Sequence, residues 1–222
     1  MKIYVILHGQ TDMDAESLIQ GKSDQHINDT GKEQALEAAK ALQDKGINMI
    51  MSSPQTHTLE TAEIVAEQLG IDKNTVAKGA MFKERDFGDY EGCHTDEVDM
   101  FILNSWAGNV PIPNGETIKE TAGRVYKQLS NVTKLFKART VLLVVPKNVL
   151  IIISWYFSGL PAPGKELALD SDGCIFHEFD TETIPPEMLD YQTLIDDQKA
   201  DNVDRVLSQN EIDALIANLE SA

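Results

Sequence analysis

The amino-acid sequence predicts an α/β protein. Its fold class is a single three-layer domain with a mostly parallel sheet covered by helices on both faces, plus a C-terminal amphipathic helix. Short apolar runs typical of strands alternate with helix-like patterns over the first 180 of the 222 residues. A hydrophobic content of 42% and a charged content of 25% are ordinary for a soluble globular protein. A body of this size can bury a large core without disulfide bonds or metals.

In the N-terminal half, two strands are each followed by a helix. The apolar run Lys2–Ile6 predicts a buried first strand, and Thr30–Glu33 forms a capping box that begins the first helix. A second short strand is predicted at Asn48–Met51. The helix His57–Leu69 follows it, and Gly70 occupies the position just past a helix end where glycine is favoured.

The C-terminal half continues the alternation. Apolar residues at steps of three and four across Glu116–Phe136 predict one long amphipathic helix. Thr140–Val145 is entirely apolar and predicts a strand, and Asn148–Phe157 predicts an apolar helix directly after it. Cys174–Phe179 alternates between apolar and polar residues, which indicates a late edge strand.

Composition excludes several classes of partner. The net charge is −17, which argues against nucleic acid and anionic membranes because both are negatively charged. Cys93 and Cys174 are far apart and have no metal-ligand spacing, so we expect free thiols and neither a metal nor a cofactor. The apolar runs are too short for a signal peptide or a membrane span. Together these features predict a cytoplasmic protein.

The acidity is concentrated at the C-terminus. Residues 181–222 hold ten acidic residues against two basic ones, and this shift of composition marks a boundary near residues 181–186. The predicted organisation is a body of residues 1–180, an acidic linker of residues 181–206 and a terminal helix of residues 207–222.

Five segments in order along the body carry the candidate site. Ligands of such sheets bind beyond the carboxyl ends of the strands, which points to the turns after the predicted strands. The segments are Leu7-His8-Gly9-Gln10-Thr11, residues 52–62 (S-S-P-Q-T-H-T-L-E-T-A), residues 83–92, residues 113–117 (P-N-G-E-T) and residues 140–150. Together they resemble the motifs of the histidine phosphatase (phosphoglycerate-mutase-like) family over about residues 1–180.

This resemblance implies a reaction and its residues. Members of the family transfer a phosphoryl group through a phosphohistidine, and His8 matches that nucleophile. Glu84 matches the carboxylic acid that protonates the leaving oxygen. Gln10 and Thr11 belong to the phosphate pocket, although they suit ordinary turn and cap positions equally well. The resemblance implies no cofactor.

The chain departs from the family at the positions whose side chains neutralise the charge of the phosphate. Leu7 and His57 stand in place of two arginines, Pro146 in place of a second histidine, and Asp14 in place of an asparagine. Losing two arginine forks and an imidazole would cost about 6–12 kcal/mol of oxyanion stabilisation. Lys147 and a protonated His57 would restore part of the positive field, without the bidentate geometry.

The sequence therefore predicts a catalytically impaired protein that serves as an interaction or regulatory module and binds at most a weak anion ligand. Two alternatives stay open. One is a residual phosphatase or phosphomutase that acts through phospho-His8 on a small phosphorylated substrate. The other is a sensor of a phosphate ligand that does not turn it over.

The end of the chain carries a separate motif. Ser208 and Glu211 form a capping box, and Leu207 with Ile212 has the spacing of a hydrophobic staple. A helix this short must dock on something, which is either its own body or a partner. The apolar stripe that would dock consists of Ile212, Leu215, Ile216 and Leu219.

The letters of this segment, L-S-Q-N-E-I-D-A-L-I, are similar to the peptide at the N-terminus of flagellar motor switch proteins. In that family the peptide docks the phosphorylated chemotaxis response regulator. The resemblance covers some ten residues. It implies a receiver-type response regulator, or a flagellar switch component, as the partner of residues 207–222.

Overall fold

The computed structural model of the chain describes residues 1–106, 109–160, 174 and 176–184. The strands are β1 Lys2–Leu7, β2 Met49–Ser52, β3 Ala77–Lys78, β4 Thr140–Val145 and β5 Phe176–Asp180. The α-helices are α1 Asp12–Ala15, α2 Asp29–Leu42, α3 Thr56–Gln68, α4 Met100–Leu103, α5 Ile118–Leu135 and α6 Lys147–Ser158.

The strands form one sheet in the order β3-β2-β4-β1-β5. The first four strands of this order are parallel, and β5 runs antiparallel along the outer side of β1. The mostly parallel sheet and the late edge strand predicted from the sequence are therefore confirmed. Because β1, β2 and β4 are parallel neighbours, the turns that follow them lie along one edge of the sheet.

Helices cover both faces of the sheet, as the sequence predicts. Ile3, Val5 and Leu7 of β1 belong to the apolar cluster packed under α5 and α6. Tyr4 and Ile6, which alternate with them, belong to the cluster under α2 and α3. Strands that bury both faces read as continuous apolar runs, which explains the sequence of β1 and β4.

The start of α2 differs from its prediction. The helix begins at Asp29, capped by the side chain of Asn28, which accepts a hydrogen bond from Gly31 N at 2.9 Å. Thr30 and Glu33 do not form the expected capping box. Gly31 packs so tightly on the turn after β1 that a Cβ on it would lie 2.4 Å from Gln10 O. The cap at Asn28 thus starts the helix two residues earlier than the motif suggests, with its first turn packed on the turn after β1.

The end of α3 agrees with its prediction. Gly70 adopts a left-handed conformation with φ of 72° just past the helix. Gly70 N and Ile71 N donate to the carbonyls of Glu67 and Ala66 at 3.2 and 2.9 Å, which satisfies two groups that a helix end leaves unpaired. The glycine therefore terminates the helix.

Further expectations concern the cysteines, membrane spans, metal sites and the end of the chain. Cys93 and Cys174 are free thiols, as predicted. Within the described ranges no helix is long and apolar enough to cross a membrane, and no group of three or more His, Cys, Asp or Glu side chains is arranged to hold a metal ion. The predicted terminal helix of residues 207–222, and most of the acidic linker, lie outside the described residues.

Candidate active site

The predicted site lies at the carboxyl edge of the sheet. His8 directly follows β1, and its N–H donates to Val145 O at 3.2 Å. Ser53 directly follows β2, and its N–H donates to Val144 O at 3.0 Å. Pro146 is the next residue after β4. Three turns that are far apart in the sequence are thereby brought side by side.

His8 is held in the form that a nucleophile needs. The side chain is 8% exposed, and its Nδ1 lies 2.8 Å from Gly9 O. Since a carbonyl only accepts hydrogen bonds, Nδ1 carries the proton and Nε2 keeps its lone pair. Burial lowers the pKa of His8, and this outweighs the opposing effect of Asp14, whose Oδ2 lies 3.9 Å from Nδ1. His8 is therefore a neutral imidazole at pH 7.

His57 packs directly against His8. The two ring centroids are 4.3 Å apart at an interplanar angle of 60°, and His57 is 1% exposed. Its Nδ1 lies 3.1 Å from Gln20 Nε2, which donates to it. Burial, with a smaller effect of His8, lowers the pKa of His57 to about 2. The expectation that a protonated His57 supplies positive charge is therefore wrong, because the buried ring stays neutral.

Lys147 is the other cation expected at this site. It is the first residue of α6, and its side chain is exposed. Leu7 is buried in the apolar cluster under α5 and α6, and Pro146 caps α6 without a side-chain hydrogen bond. Among the described residues, no lysine or arginine is a hydrogen-bond partner of the side chains of residues 8–11 or of His57.

Gln10, Thr11 and Asp14 organise the turn after β1. Gln10 N donates to Gln34 Oε1 at 2.9 Å, and Gln10 Oε1 accepts from Asn28 Nδ2 at 3.1 Å. Thr11 caps α1, and the Asp14 carboxylate accepts from Thr11 N at 2.8 Å to complete a capping box. Gln10 and Thr11 thus make the contacts of turn and cap residues, and their place in the phosphate pocket stays a prediction.

Glu84 is buried at the N-terminus of α6. It is 7% exposed, and its two oxygens accept hydrogen bonds from Arg85 N at 2.6 Å and Asn148 N at 3.1 Å. The helix has no other side-chain cap, so this carboxylate occupies the position where a helix N-terminus binds an anion. Burial raises the pKa of Glu84, while the hydrogen bonds from Arg85 and Asn148 oppose the rise.

Arg124 holds the segment that carries Glu84. Its guanidinium donates to three backbone carbonyls, those of Met81 and Lys83 at 2.7 Å and that of Glu84 at 3.0 Å. It also donates to both carboxylate oxygens of Glu116, at 2.8 and 3.0 Å. A single side chain on α5 therefore fixes the backbone from Met81 to the candidate acid Glu84.

Sequence reasoning missed several polar side chains that connect these parts. Gln20 contacts His57 and Thr11 Oγ1, and nothing local in the sequence marks it. Gln55 accepts from Glu84 N at 2.7 Å, and Asn148 donates to Glu84. Gln55 and Asn148 both lie inside the motif segments. This location is the signal by which the sequence could have identified them as site residues.

The buried His57 predicts a specific loss of stability in acid. Its pKa is about 2 in the folded protein and about 6.5 in an unfolded chain, so only the unfolded state takes up the proton between these values. The contribution of the neutral His57 to the free energy of unfolding is fully present above about pH 6.5. Below that pH it falls by about 1.4 kcal/mol per pH unit. By pH 5 we expect a loss of about 2 kcal/mol in the free energy of unfolding.

Urea unfolding of the wild type and of His57→Gln at pH 7 and pH 5 measures this effect. Glutamine is polar and neutral at both pH values, so the variant is expected to lose about 2 kcal/mol less than the wild type on acidification. The matched control is His94→Gln, which removes an exposed histidine and should lose as much as the wild type. If all three proteins lost the same free energy of unfolding on acidification, the assignment of His57 as a neutral, buried side chain would be contradicted.

Comparisons with known proteins agree on one family. The profile of the histidine phosphatase superfamily (branch 1) matches residues 3–182. The probable phosphoglycerate mutase GpmB of Citrobacter koseri is 32% identical over 168 residues, which cover 73% of this chain and 77% of that protein. The uncharacterized phosphatase PhoE of Bacillus subtilis is 32% identical over 142 residues, which cover 64% of this chain and 69% of that protein.

Solved structures share the fold. YhfR of Bacillus stearothermophilus aligns with a TM-score of 0.68 at 23% identity, covering 83% of this chain and 94% of that one. A mycobacterial glucosyl-3-phosphoglycerate phosphatase in complex with VO3 aligns with a TM-score of 0.62 at 24% identity, covering 72% and 83%. At these identities the likeness concerns the fold alone.

Proposed function

Because this chain belongs to branch 1 of the histidine phosphatase superfamily, we propose that it is a catalytically impaired member that serves as an interaction or regulatory module. The observation that carries this proposal is the contact between His8 and a neutral His57, whose ring centroids are 4.3 Å apart. The contact fills the space beside the nucleophile with an uncharged ring instead of a cation. The side chains of Leu7 and Pro146 provide no hydrogen-bond donors at the two other positions where the family carries an arginine or a histidine.

The number of missing hydrogen-bond donors supports catalytic impairment. A phosphoryl group carries its charge into the transition state, so fixed donors are needed where that charge develops. Each charge-assisted hydrogen bond contributes about 1.5–3 kcal/mol, and every 1.36 kcal/mol corresponds to about tenfold in rate. The carboxylate of Asp14, which lies 3.9 Å from His8, adds repulsion toward an incoming phosphate.

A phosphatase assay tests the proposal. We expect hydrolysis of p-nitrophenyl phosphate and of phosphoglycerates to be no faster for the wild type than for His8→Ala. Thermal unfolding of both proteins controls for their folding. A turnover that depends on His8 and reaches about 1 s⁻¹, a typical lower value for enzymes, would overturn the proposal.

Residual phosphatase or phosphomutase activity is the second candidate, and two observations favour it. Nε2 of His8 keeps the lone pair that attack on phosphorus requires. The raised pKa of the buried Glu84 suits a group that donates a proton to a leaving oxygen. The relatives whose names describe a probable phosphoglycerate mutase and a phosphatase agree with this chemistry.

Trapping of the covalent intermediate tests this candidate independently of turnover. Incubation with p-nitrophenyl phosphate followed by an alkaline quench and intact-mass measurement detects a phosphohistidine. A phosphoryl adduct in the wild type and in Glu84→Gln, absent from His8→Ala, would support this candidate. Absence of the adduct from all three proteins would support catalytic impairment.

We further propose that residues 207–222 dock a receiver-type response regulator and link the body to flagellar or chemotaxis signalling. The support is the similarity of L-S-Q-N-E-I-D-A-L-I to the peptide of flagellar motor switch proteins. The cap at Ser208 and the apolar stripe beginning at Ile212 suit a helix that lies in an apolar groove of the partner. A short helix that must order on binding is expected to bind with micromolar affinity.

Calorimetry with a synthetic peptide of residues 205–222 tests the docking proposal. We expect heat of binding with a phosphorylated chemotaxis regulator and weaker binding with the unphosphorylated form. Leu215→Asp, on the stripe, should abolish binding, whereas Asn218→Asp, away from the stripe, should retain it. No heat from the native peptide at about 200 μM would refute the proposal.

A further inference from the structure

The charges of this acidic chain are strongly segregated. No aspartate or glutamate occurs between Glu120 and Glu166, although the chain as a whole carries a net charge of −17. The same interval contains seven basic residues: Arg124, Lys127, Lys134, Lys137, Arg139, Lys147 and Lys165. Most of the described members lie on α5 and on the turn that joins it to β4.

The basic turn, residues 134–139, exposes three of these cations together. Lys134, Lys137 and Arg139 are exposed, and within the described ranges none of them forms a salt bridge. Leu135 lies between them and is 53% exposed. A large exposed apolar side chain in the same short segment as three cations that form no salt bridge within the described residues suits an occupant that is both acidic and partly apolar.

The topology places the end of β5 near the basic turn. Lys2 pairs with Thr140 on one side and with Asp180 on the other. Neighbouring strands are about 4.8 Å apart, so Thr140 and Asp180 are separated by about 10 Å. Ile184 packs against the apolar cluster under α5 and α6, as does Phe136 of the basic turn. The chain therefore leaves the described body on the same face as the basic turn.

The segment that follows has the complementary charge. Residues 187–204 contain six acidic residues, with Lys199 as the one basic residue, and apolar residues such as Met188 and Leu194 lie among them. A random coil of about 15 residues has a root-mean-square end-to-end distance of about 20 Å, which exceeds the separation of about 10 Å between Thr140 and Asp180. A tethered segment also has an effective concentration in the millimolar range.

We propose that the basic turn is a docking surface for the acidic segment 187–204 of the same chain. Exposed ion pairs contribute only about 0–1 kcal/mol each, so docking relies on several pairs together with the tether and is sensitive to salt. Docking of this kind fixes the point from which residues 207–222 leave the body. The proposal does not depend on whether His8 is active.

Zero-length carbodiimide cross-linking of the full-length chain, followed by peptide mass spectrometry, tests this contact. We expect cross-links from Lys134 and Lys137 to acidic residues of segment 187–204, found in the monomer fraction. Their yield should fall about tenfold in 1 M salt, where the Debye length is about 3 Å instead of about 10 Å. Lys40 on α2 and Lys78 on β3 are exposed lysines elsewhere on the body and serve as internal controls.

Matched charge reversals complete the test. Lys134→Glu combined with Lys137→Glu should increase the rate of tryptic cleavage at Lys199 several-fold, whereas Lys40→Glu combined with Lys78→Glu should leave it unchanged. Thermal unfolding verifies that both variants are folded. Cross-links to the control lysines in equal yield, cross-links found only between two copies, or equal cleavage rates in both variants would each overturn the proposal.

Discussion

Restoring Leu7→Arg, His57→Arg and Pro146→His together should raise the affinity for inorganic phosphate or vanadate by about 10³–10⁶-fold. The reason is that two guanidinium groups and an imidazole supply charge-assisted hydrogen bonds of about 1.5–3 kcal/mol each, and every 1.4 kcal/mol corresponds to a factor of about ten in affinity. Isothermal calorimetry with either anion measures the change. Turnover should recover less than binding, because in-line attack tolerates far smaller misplacement than charge neutralisation does.

Two controls separate this effect from unrelated changes. Leu7 is buried in the cluster under α5 and α6, so the double variant His57→Arg with Pro146→His should gain a smaller share of the affinity without disturbing that cluster. His94→Arg adds one cation at an exposed position and should change anion affinity little. Unchanged affinity in a folded triple variant, or turnover without measurable phosphate binding, would contradict the assignment of these positions to the pocket.

Removing Arg124 should destabilise the folded protein strongly. Arg124→Ala removes the side-chain donor of three backbone carbonyls and both hydrogen bonds from the guanidinium to Glu116, whose Oε2 keeps the hydrogen bond from Asp86 N. Breaking a fully buried ion pair costs about 3–5 kcal/mol. This pair is partly buried, with the Glu116 side chain 30% exposed, so we expect a loss of about 2–4 kcal/mol. Chemical denaturation measures the free energy of unfolding directly.

Comparison variants define the source of that loss. Arg124→Lys should recover less than half of it, because an ammonium group cannot reproduce the bidentate contact to Glu116 or reach all three carbonyls. Arg139→Ala removes an exposed arginine and should change stability by less than about 0.5 kcal/mol. If Arg124→Ala proved as mild as Arg139→Ala, the fixation of the Glu84 segment by this side chain would have to be abandoned.

Local sequence patterns by themselves determined much of this protein. The alternation of apolar runs with helical spacing specified the α/β class, and β4 has the predicted bounds Thr140–Val145. Gly70 ends α3 as predicted, since its left-handed conformation depends only on the residues next to it. Collinear motifs likewise indicated the family, because a motif is a property of the sequence itself. These features depend on residues within a few positions of one another.

The tertiary structure alone decided the state of the candidate site. A sequence shows that a histidine stands at position 57, but its pKa of about 2 results from burial among residues distant in the chain. Gln20 reaches His57, and Asn148 reaches Glu84, only after the turns have been brought together at the edge of the sheet. Desolvation and long-range hydrogen bonds depend on the complete three-dimensional arrangement, and a local pattern of side chains contains neither.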